Sequence, residues 1–488
     1  MIDRRDLYRA AALIVVVCAA YAAALGAGFF SDDYQWLGRM NPTLERPSYL
    51  FSIFYRDFNP VLHASFLLDW IVGGPNAVVY HADSILIHAV CAGLLLLLCK
   101  RASGNSWLAA LAALAWALNV RISETVIWAA ARGHSLATLF VLAALLALGS
   151  RARWREVVGV ALLVLGLLTK ETALFPIALV PFFVPEPRRA WRLYGALATV
   201  GVAFVLFNLL AKPEFHTSPA GPAALLLKVP FILLRPLGLG DFYDFSWLLL
   251  LFVLAAYVAI TFLLRRTPAL VGLLWVAVCT VPIIPLDKLS SRYLYMMSAG
   301  YALVLCGVVP WIAQHIRDRS LRRIVAGLAL TGLLIMTAGN LVNIQREIGD
   351  YAILARPYRE CVEALGPHLR AVAPGDTVVI VDDGPRDAIR SLTDEIAARR
   401  NINKLIPYRA GAVDGLIELP DLLNTVRRTP GLLGYVAELE ASGLPCYVYY
   451  DGTRAWAADV VPDRPSPPER VFTARWGEAR GFFGDDGG

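Results

Sequence analysis

Apolar residues in this chain gather in long runs separated by short polar intervals, from residue 7 to residue 344. A bilayer core of about 30 Å takes about 20 apolar residues of helix, and the runs 7–27, 77–99, 191–211, 247–264, 269–286, 293–312 and 324–344 predict membrane helices of that kind. Four shorter runs, 107–119, 135–148, 156–169 and 172–184, bring the expected number of spans to about eleven, with a polar break at Lys170-Glu171 between the last two. Two further apolar stretches, 60–73 and 225–239, predict helices lying along the membrane surface. The first run follows Arg4 and Arg5, but it ends in Phe29-Phe30-Ser31-Asp32 instead of a small-residue cleavage site, so it reads as an uncleaved helix.

Basic clusters mark cytoplasmic loops. Here they fall at Arg4/Arg5/Arg9, Lys100/Arg101, Arg151/Arg153/Arg155, Arg188/Arg189/Arg192, Arg265/Arg266 and Arg317/Arg319/Arg322/Arg323. Each interval between clusters must then cross the membrane an even number of times, and one last span puts everything after residue 350 outside the cytoplasm. The polarity changes after Arg346. Residues 376–381 and 446–450 read as buried strands and 386–400 as a helix, predicting a small extracytoplasmic α/β domain over 351–461, with a Pro-, Gly- and Asp-rich disordered tail at 462–488.

Composition agrees: 57% of the residues are hydrophobic and 17% charged, with a mean hydropathy of +0.56, more apolar than a soluble domain can hide from water. The fold class is therefore a polytopic α-helical membrane protein with a transmembrane domain over 1–346. The net charge of +6 is spread over short loops; it is a topology signal and points away from nucleic acid as a partner. The cysteines have no metal-type spacing with histidine.

Asp32 and Asp33 stand directly after the first apolar run. Paired carboxylates at the mouth of a membrane helix repel each other and resist burial, so they mark a site where a proton, a metal or a substrate compensates them. The plain alternative is a solvated loop that caps the next helix. Glu124, Arg132, His134, Lys170, Glu171, Asp287, Lys288 and Arg292 also fall at the outer ends of expected helices. If they converge, carboxylates and cations together suit a lipid-linked phosphate; taken singly, each reads as an interfacial side chain reaching for water.

Four blocks carry a resemblance. The first is Phe30-Ser31-Asp32-Asp33-Tyr34. The second runs from Asn59-Pro60 and His63 through Ser65-Phe66, Asp69-Trp70, Gly74-Pro75, Tyr80-His81 and His88. The third is Glu124 to Trp128 with Arg132 and Leu136-Ala137, followed by Leu168-Thr169-Lys170-Glu171. The fourth is Ser291 to Tyr295 with Ser298 and Gly300. In this order the chain resembles GT-C superfamily glycosyltransferases, and among them it is similar to the transmembrane and tetratricopeptide-repeat O-mannosyltransferases and their bacterial relatives. It departs from them at Asn59, where Arg is usual, at Asp83, where Asn is frequent, and at His134, where Asp is usual; it also lacks the repeats.

The resemblance implies an enzyme of the cell inner membrane that moves a sugar from a polyprenyl-phosphate donor, drawn from among the membrane lipids, to a hydroxyl of a protein, glycan or lipid acceptor at the outer face, with inversion. It implies Asp32 as general base with Asp33 supporting it, and Arg132, Lys170 and Arg292 as donor phosphate ligands. Glu124, His63, His81 and Glu171 are possible supporting residues. A divalent cation, with Asp33 and Glu124 as candidate ligands, is left open. A lipid or polysaccharide transporter, and a GT-C scaffold without activity, are the alternatives; the placement of the charges at helix ends favours the enzyme.

Overall fold

The computed structural model describes residues 3–30, 32–53, 58–150, 152–184, 186–211, 222–239, 246–286, 289–369, 377–382, 404–409, 446–450 and 455–458. Helix α1 (Arg4–Tyr21) is followed by a 3-10 turn, Ala22–Gly26, and then by two short helices, α2 (Asp32–Leu37) and α3 (Met40–Glu45). Helices α4 (Pro60–Gly73), α5 (Ala77–Ser103), α6 (Ser106–Ala117), α7 (Glu124–Ile127), α8 (Arg132–Leu148) and α9 (Arg153–Leu167) come next. After the 3-10 segment Glu171–Leu179 follow α10 (Val180–Phe183), α11 (Pro187–Ala211), α12 (Pro222–Leu227), α13 (Val229–Leu234), α14 (Trp247–Leu263), α15 (Ala269–Thr280), α16 (Leu294–His315) and α17 (Arg319–Leu369).

Every expected span has a helical counterpart, but among the described residues only six helices are long and apolar enough to cross a membrane, beginning at Arg4, Ala77, Ala129, Pro187, Ser291 and Arg319. The expected span 172–184 needs correction. It is a 3-10 segment with Pro176 inside it, followed by a single α-turn that carries Pro181 near its start. Each proline removes a backbone donor and crowds the preceding turn, so a regular i→i−4 ladder cannot form there.

Local signals set the helix ends. Asp3 and Asp6 form a reciprocal capping box at the start of α1. Gly104, at φ 71°, ends α5 in the left-handed region, and the next residue, Asn105, caps α6 by accepting from the Trp107 and Leu108 amides at 3.0 and 3.1 Å. Stop and start signals in adjacent residues make this a tight helical hairpin.

The chain divides into two compact units. The first comprises Met1–Ala27, Leu50–Val72 and Asn76–Tyr351. Its core is threaded by a polar network: Tyr295 Oη lies 2.7 Å from His88 Nδ1, His88 Nε2 lies 3.0 Å from Ala117 O, Tyr21 Oη donates to the same carbonyl at 3.2 Å, and Trp116 Nε1 donates to Ser298 Oγ at 2.9 Å. These contacts join α1, α5, α6 and α16 where no water is at hand to satisfy a stray polar group. Helices α15 and α16 approach backbone to backbone. A Cβ on Gly272 would fall 2.6 Å from Gly300 O, and one on Gly300 would fall 2.8 Å from Gly272 O.

The second unit comprises Gly28–Tyr49, Gly73–Pro75 and Ala352–Gly488. The Asp32-Asp33 loop therefore clusters with the C-terminal region. A Cβ on Gly28, which has φ 83°, would meet Ala355 Cβ at 3.2 Å. The expected boundary at 346–351 falls inside α17, which runs unbroken through 51 residues. Beyond it, β1 (Thr377–Asp382), β2 (Lys404–Arg409), β3 (Cys446–Tyr450) and β4 (Ala455–Ala458) form a sheet in the order β2-β1-β3-β4. β1 is parallel to β2 and to β3, and β4 is antiparallel to β3. Both expected strands are present; the expected helix 386–400 and the tail 462–488 lie outside the described residues.

Candidate functional site

Asp32 and Asp33 occupy the first turn of α2, where the unsatisfied amides and the helix dipole favour negative charge. They are not equivalent. Asp33 is fully buried and accepts the Phe30 amide on Oδ2 at 3.1 Å, whereas Asp32 is only partly buried. Asp33 thus does the capping work that the plain reading assigned to the pair. In the same unit the Arg39 guanidinium lies over the Trp36 and Tyr49 rings, 5.8 and 5.9 Å from their centroids, and burial pulls it down to about 10.

In the first unit Arg132 opens α8 and has no solvent exposure. Nη1 donates to Asp69 Oδ2 at 2.5 Å and Asp83 Oδ2 at 3.1 Å, Nε to Ser84 Oγ at 3.2 Å, and Nη2 to Tyr80 O at 2.8 Å. The guanidinium also stacks on Phe66, 4.6 Å from its centroid. Arg132 is therefore placed as an interior tie between α4, α5 and α8, which is not the setting expected of a phosphate ligand. The same second block that supplies Asp69, Tyr80 and Asp83 contributes His63 and His81, both buried on α4 and α5.

Glu124, at the start of α7, takes hold of the loop before α16. Its carboxylate accepts Ser290 Oγ at 2.6 Å, the Arg292 amide at 3.0 Å and Arg292 Nη1 at 3.2 Å. Arg292 is further held over the Trp128 ring at 4.5 Å and the Tyr293 ring at 5.2 Å. The neighbouring Ser123 hydroxyl bonds the Glu347 carboxylate of α17. Glu124 is thus committed to Ser290 and Arg292, and among the described residues no three His, Cys, Asp or Glu side chains gather as a metal-binding group. The Asp33 and Glu124 metal site left open by the sequence has no such set behind it.

Lys170 sits in extended backbone just before the 3-10 segment. Nζ is 3.4 Å from Glu171 Oε1; the Lys170 side chain is 15% exposed and that of Glu171 48%, so the carboxylate faces outward and the ammonium inward. The Lys170 stem lies against Gly133, where an added Cβ would fall 3.6 Å from its Cδ. His134, next to Gly133 and 6% exposed, meets the Tyr293 ring edge-on at 5.4 Å, the same ring over which Arg292 lies at 5.2 Å. Residues from the third and fourth blocks therefore converge here.

His134 also lines a small cavity of about 20 Å³ with Thr172, Cys279, Pro282, Ile283, Leu286, Tyr293, Met296 and Met297. The lining is mostly apolar, with His134, Thr172 and Tyr293 as its polar members. The sequence contained His134 as a departure from a family pattern but gave no sign of Thr172 or Ser290, which no motif singles out. Asp287 and Lys288 lie outside the described residues.

The arrangement is a helical bundle with charged residues gathered at helix ends. No family model matches the chain, and no curated protein matches it either. Among solved structures it is similar in fold to ArnT from Cupriavidus metallidurans bound to undecaprenyl phosphate, with a TM-score of 0.54 and 14% identity over 93% of this chain and 98% of that one. The apo state of the same protein aligns with a TM-score of 0.50 and 13% identity over 92% and 97%. The GT-C resemblance read from the four blocks is matched by the fold.

Proposed function

We propose that this protein is a glycosyltransferase that moves a sugar from a polyprenyl-phosphate donor to an acceptor hydroxyl at the outer face of the inner membrane, with inversion. The observation that carries this reading is that Lys170, packed against Gly133, and Arg292, stacked on the Tyr293 ring that His134 meets, lie around His134 beside a small, mostly apolar cavity. Two cations next to apolar walls suit a phosphate whose substituent is a hydrocarbon chain. The fold neighbour bound to undecaprenyl phosphate supports the same donor class.

In the proposed reaction Asp32 accepts the proton of the acceptor hydroxyl as its oxygen attacks the anomeric carbon. The carbon–oxygen bond to phosphate breaks, and its electron pair leaves with the polyprenyl phosphate. Lys170 and Arg292 stabilise the charge that develops on that leaving group. Asp33, bonded to the Phe30 amide, fixes the turn from which Asp32 acts. Arg132 ties α4, α5 and α8 together, and a protein or glycan is the proposed acceptor.

The test is direct. The full chain, purified in nanodiscs, is incubated with undecaprenyl phosphate carrying radiolabelled hexoses or pentoses and with cell-envelope extract, and labelled product is followed alongside release of undecaprenyl phosphate. Product formation that requires Lys170 and Arg292 supports the reading. Absence of binding of any polyprenyl phosphate by the intact protein overturns it.

A further inference from the structure

The middle of α17 is seated on the first unit by a short stretch of residues, and one of them bears on the grip that holds Arg292. Along the preceding apolar part Leu321, Ile324, Leu328, Leu334 and Ile335 are exposed, so the placement of the helix is decided further on. Ile344 and Ile348, one turn apart on one face, lie buried in the core with Tyr351 packed against it, and Gln345 Nε2 donates to Ala20 O at 2.7 Å. Glu347, from the same stretch, bonds the Ser123 hydroxyl, whose Oγ also lies 2.6 Å from Val120 O. Ser123 is fully buried and directly precedes α7.

Helix α7 is a single turn, too short to stand without tertiary contacts. Val126 and Ile127 bury its apolar side, and groups at both of its ends hold Arg292: Glu124, at the start, accepts the Arg292 amide and Nη1, and Trp128, just past the end, lies under the guanidinium at 4.5 Å. Resting on the donor reading above, which makes Arg292 a phosphate ligand, we propose that Glu347 is a positioning residue of the donor site, fixing α7 through Ser123 so that Glu124 and Trp128 present Arg292 to the phosphate. The bond and the charge of Glu347 act with opposite signs. A further carboxylate behind Arg292 repels a phosphate, so if charge were its contribution, removing it would tighten donor binding. As an anchor, its removal frees the start of α7 and weakens donor binding instead.

The experiment measures the affinity of the full chain in nanodiscs for undecaprenyl phosphate. Glu347→Ala and Ser123→Ala are each expected to weaken binding by about three- to tenfold, and the two together no further than either alone. Glu347→Gln, whose amide both donates and accepts, stays close to wild type and shows that loss of fold is not the cause. In double-mutant cycles Glu347→Ala adds no further loss to Arg292→Ala, through which it acts, whereas its loss multiplies with that of Lys170→Ala; a general loosening of the bundle would multiply with both. Tighter binding by Glu347→Ala, or a Glu347→Gln variant as weak as Glu347→Ala, would assign the effect to charge. Unchanged binding, or a loss that multiplies with Arg292→Ala, would show that Glu347 does not act through Arg292. Each of these results overturns this inference and leaves the donor reading standing; a wild-type protein that fails to bind undecaprenyl phosphate overturns the donor reading and this inference with it.

Discussion

Two neighbouring carboxylates in the first turn of α2 divide their work by burial. Asp33 is buried against the Phe30 amide while Asp32 keeps partial exposure, so Asp32→Asn is expected to lower turnover by about a hundredfold or more with donor affinity intact. Asp33→Asn should cost less turnover; steady-state kinetics of the two variants against wild type make the comparison, and near-normal transfer by Asp32→Asn removes it as the base. The cations divide in the same way. Arg132→Ala strands Asp69 and Asp83 beside a buried void and should destabilise the protein by about 3–5 kcal/mol, read as a lower unfolding temperature and poor recovery from the membrane. Lys170→Ala should keep the fold and raise the donor KM. Glu124→Gln should resemble Lys170→Ala, because it weakens the hold on Arg292, the second cation of the proposed phosphate site, and leaves that side chain itself in place. A Lys170→Ala variant with unchanged donor KM would place the phosphate elsewhere.

Helices α15 and α16 frame the apolar wall of the cavity, and their separation is set by glycine. With Gly272 and Gly300 facing each other's carbonyls, even a methyl group must push the backbones apart, since carbonyl oxygens cannot rotate away as a side-chain tip can. Gly300→Val is therefore expected to lower the unfolding temperature and to widen the cavity, weakening polyprenyl-phosphate binding along with stability. Gly327, with open space around its would-be Cβ on α17, is the matched control, and Gly327→Val should change neither. Equal tolerance at both positions would show that the α15–α16 crossing is not close in the membrane. The 3-10 segment between Lys170 and α10 has a related use. Its Pro176 prevents a regular helix, and Ala173, Pro176, Ile177 and Leu179 bury one side of the irregular segment.

At the scale of the whole chain, the reaction proposed above requires that the Asp32 loop and the C-terminal region share the outer face. That the loop 28–49 and residues from 352 onward belong to one compact unit agrees with that requirement, and the even number of crossings expected from the basic clusters would meet it. A phosphatase fused after Gly488 should be active in the periplasm, and a fluorescent protein that folds only in the cytoplasm should stay dark at the same position. The reverse result would take one crossing from the chain and separate the C-terminal region from the outer face. The fusion belongs at the end of the chain because α17 runs through residue 350 without a break, and an insertion there would interrupt a helix.

Hydropathy alone determined that the chain is a helical membrane protein and where nearly every helix lies, because burial in lipid requires long apolar runs whatever the partners. Local chemistry determined helix ends such as Gly104-Asn105 and the strands at Thr377 and Cys446, for the same reason that any short-range signal is legible: donor, acceptor and backbone preference lie within a few residues. Motif order brought Asp32, Lys170 and Arg292 forward as candidates. What only the tertiary structure decided was the duty of each charge. Arg132 and Lys170 look alike in sequence, but one meets Asp69 and Asp83 in the interior and the other packs its stem against Gly133, next to His134. The partners of Glu124, and the placing of His134 and Thr172 at one cavity, were equally invisible, because they join segments far apart in the chain whose proximity is set by helix packing and written in no local pattern.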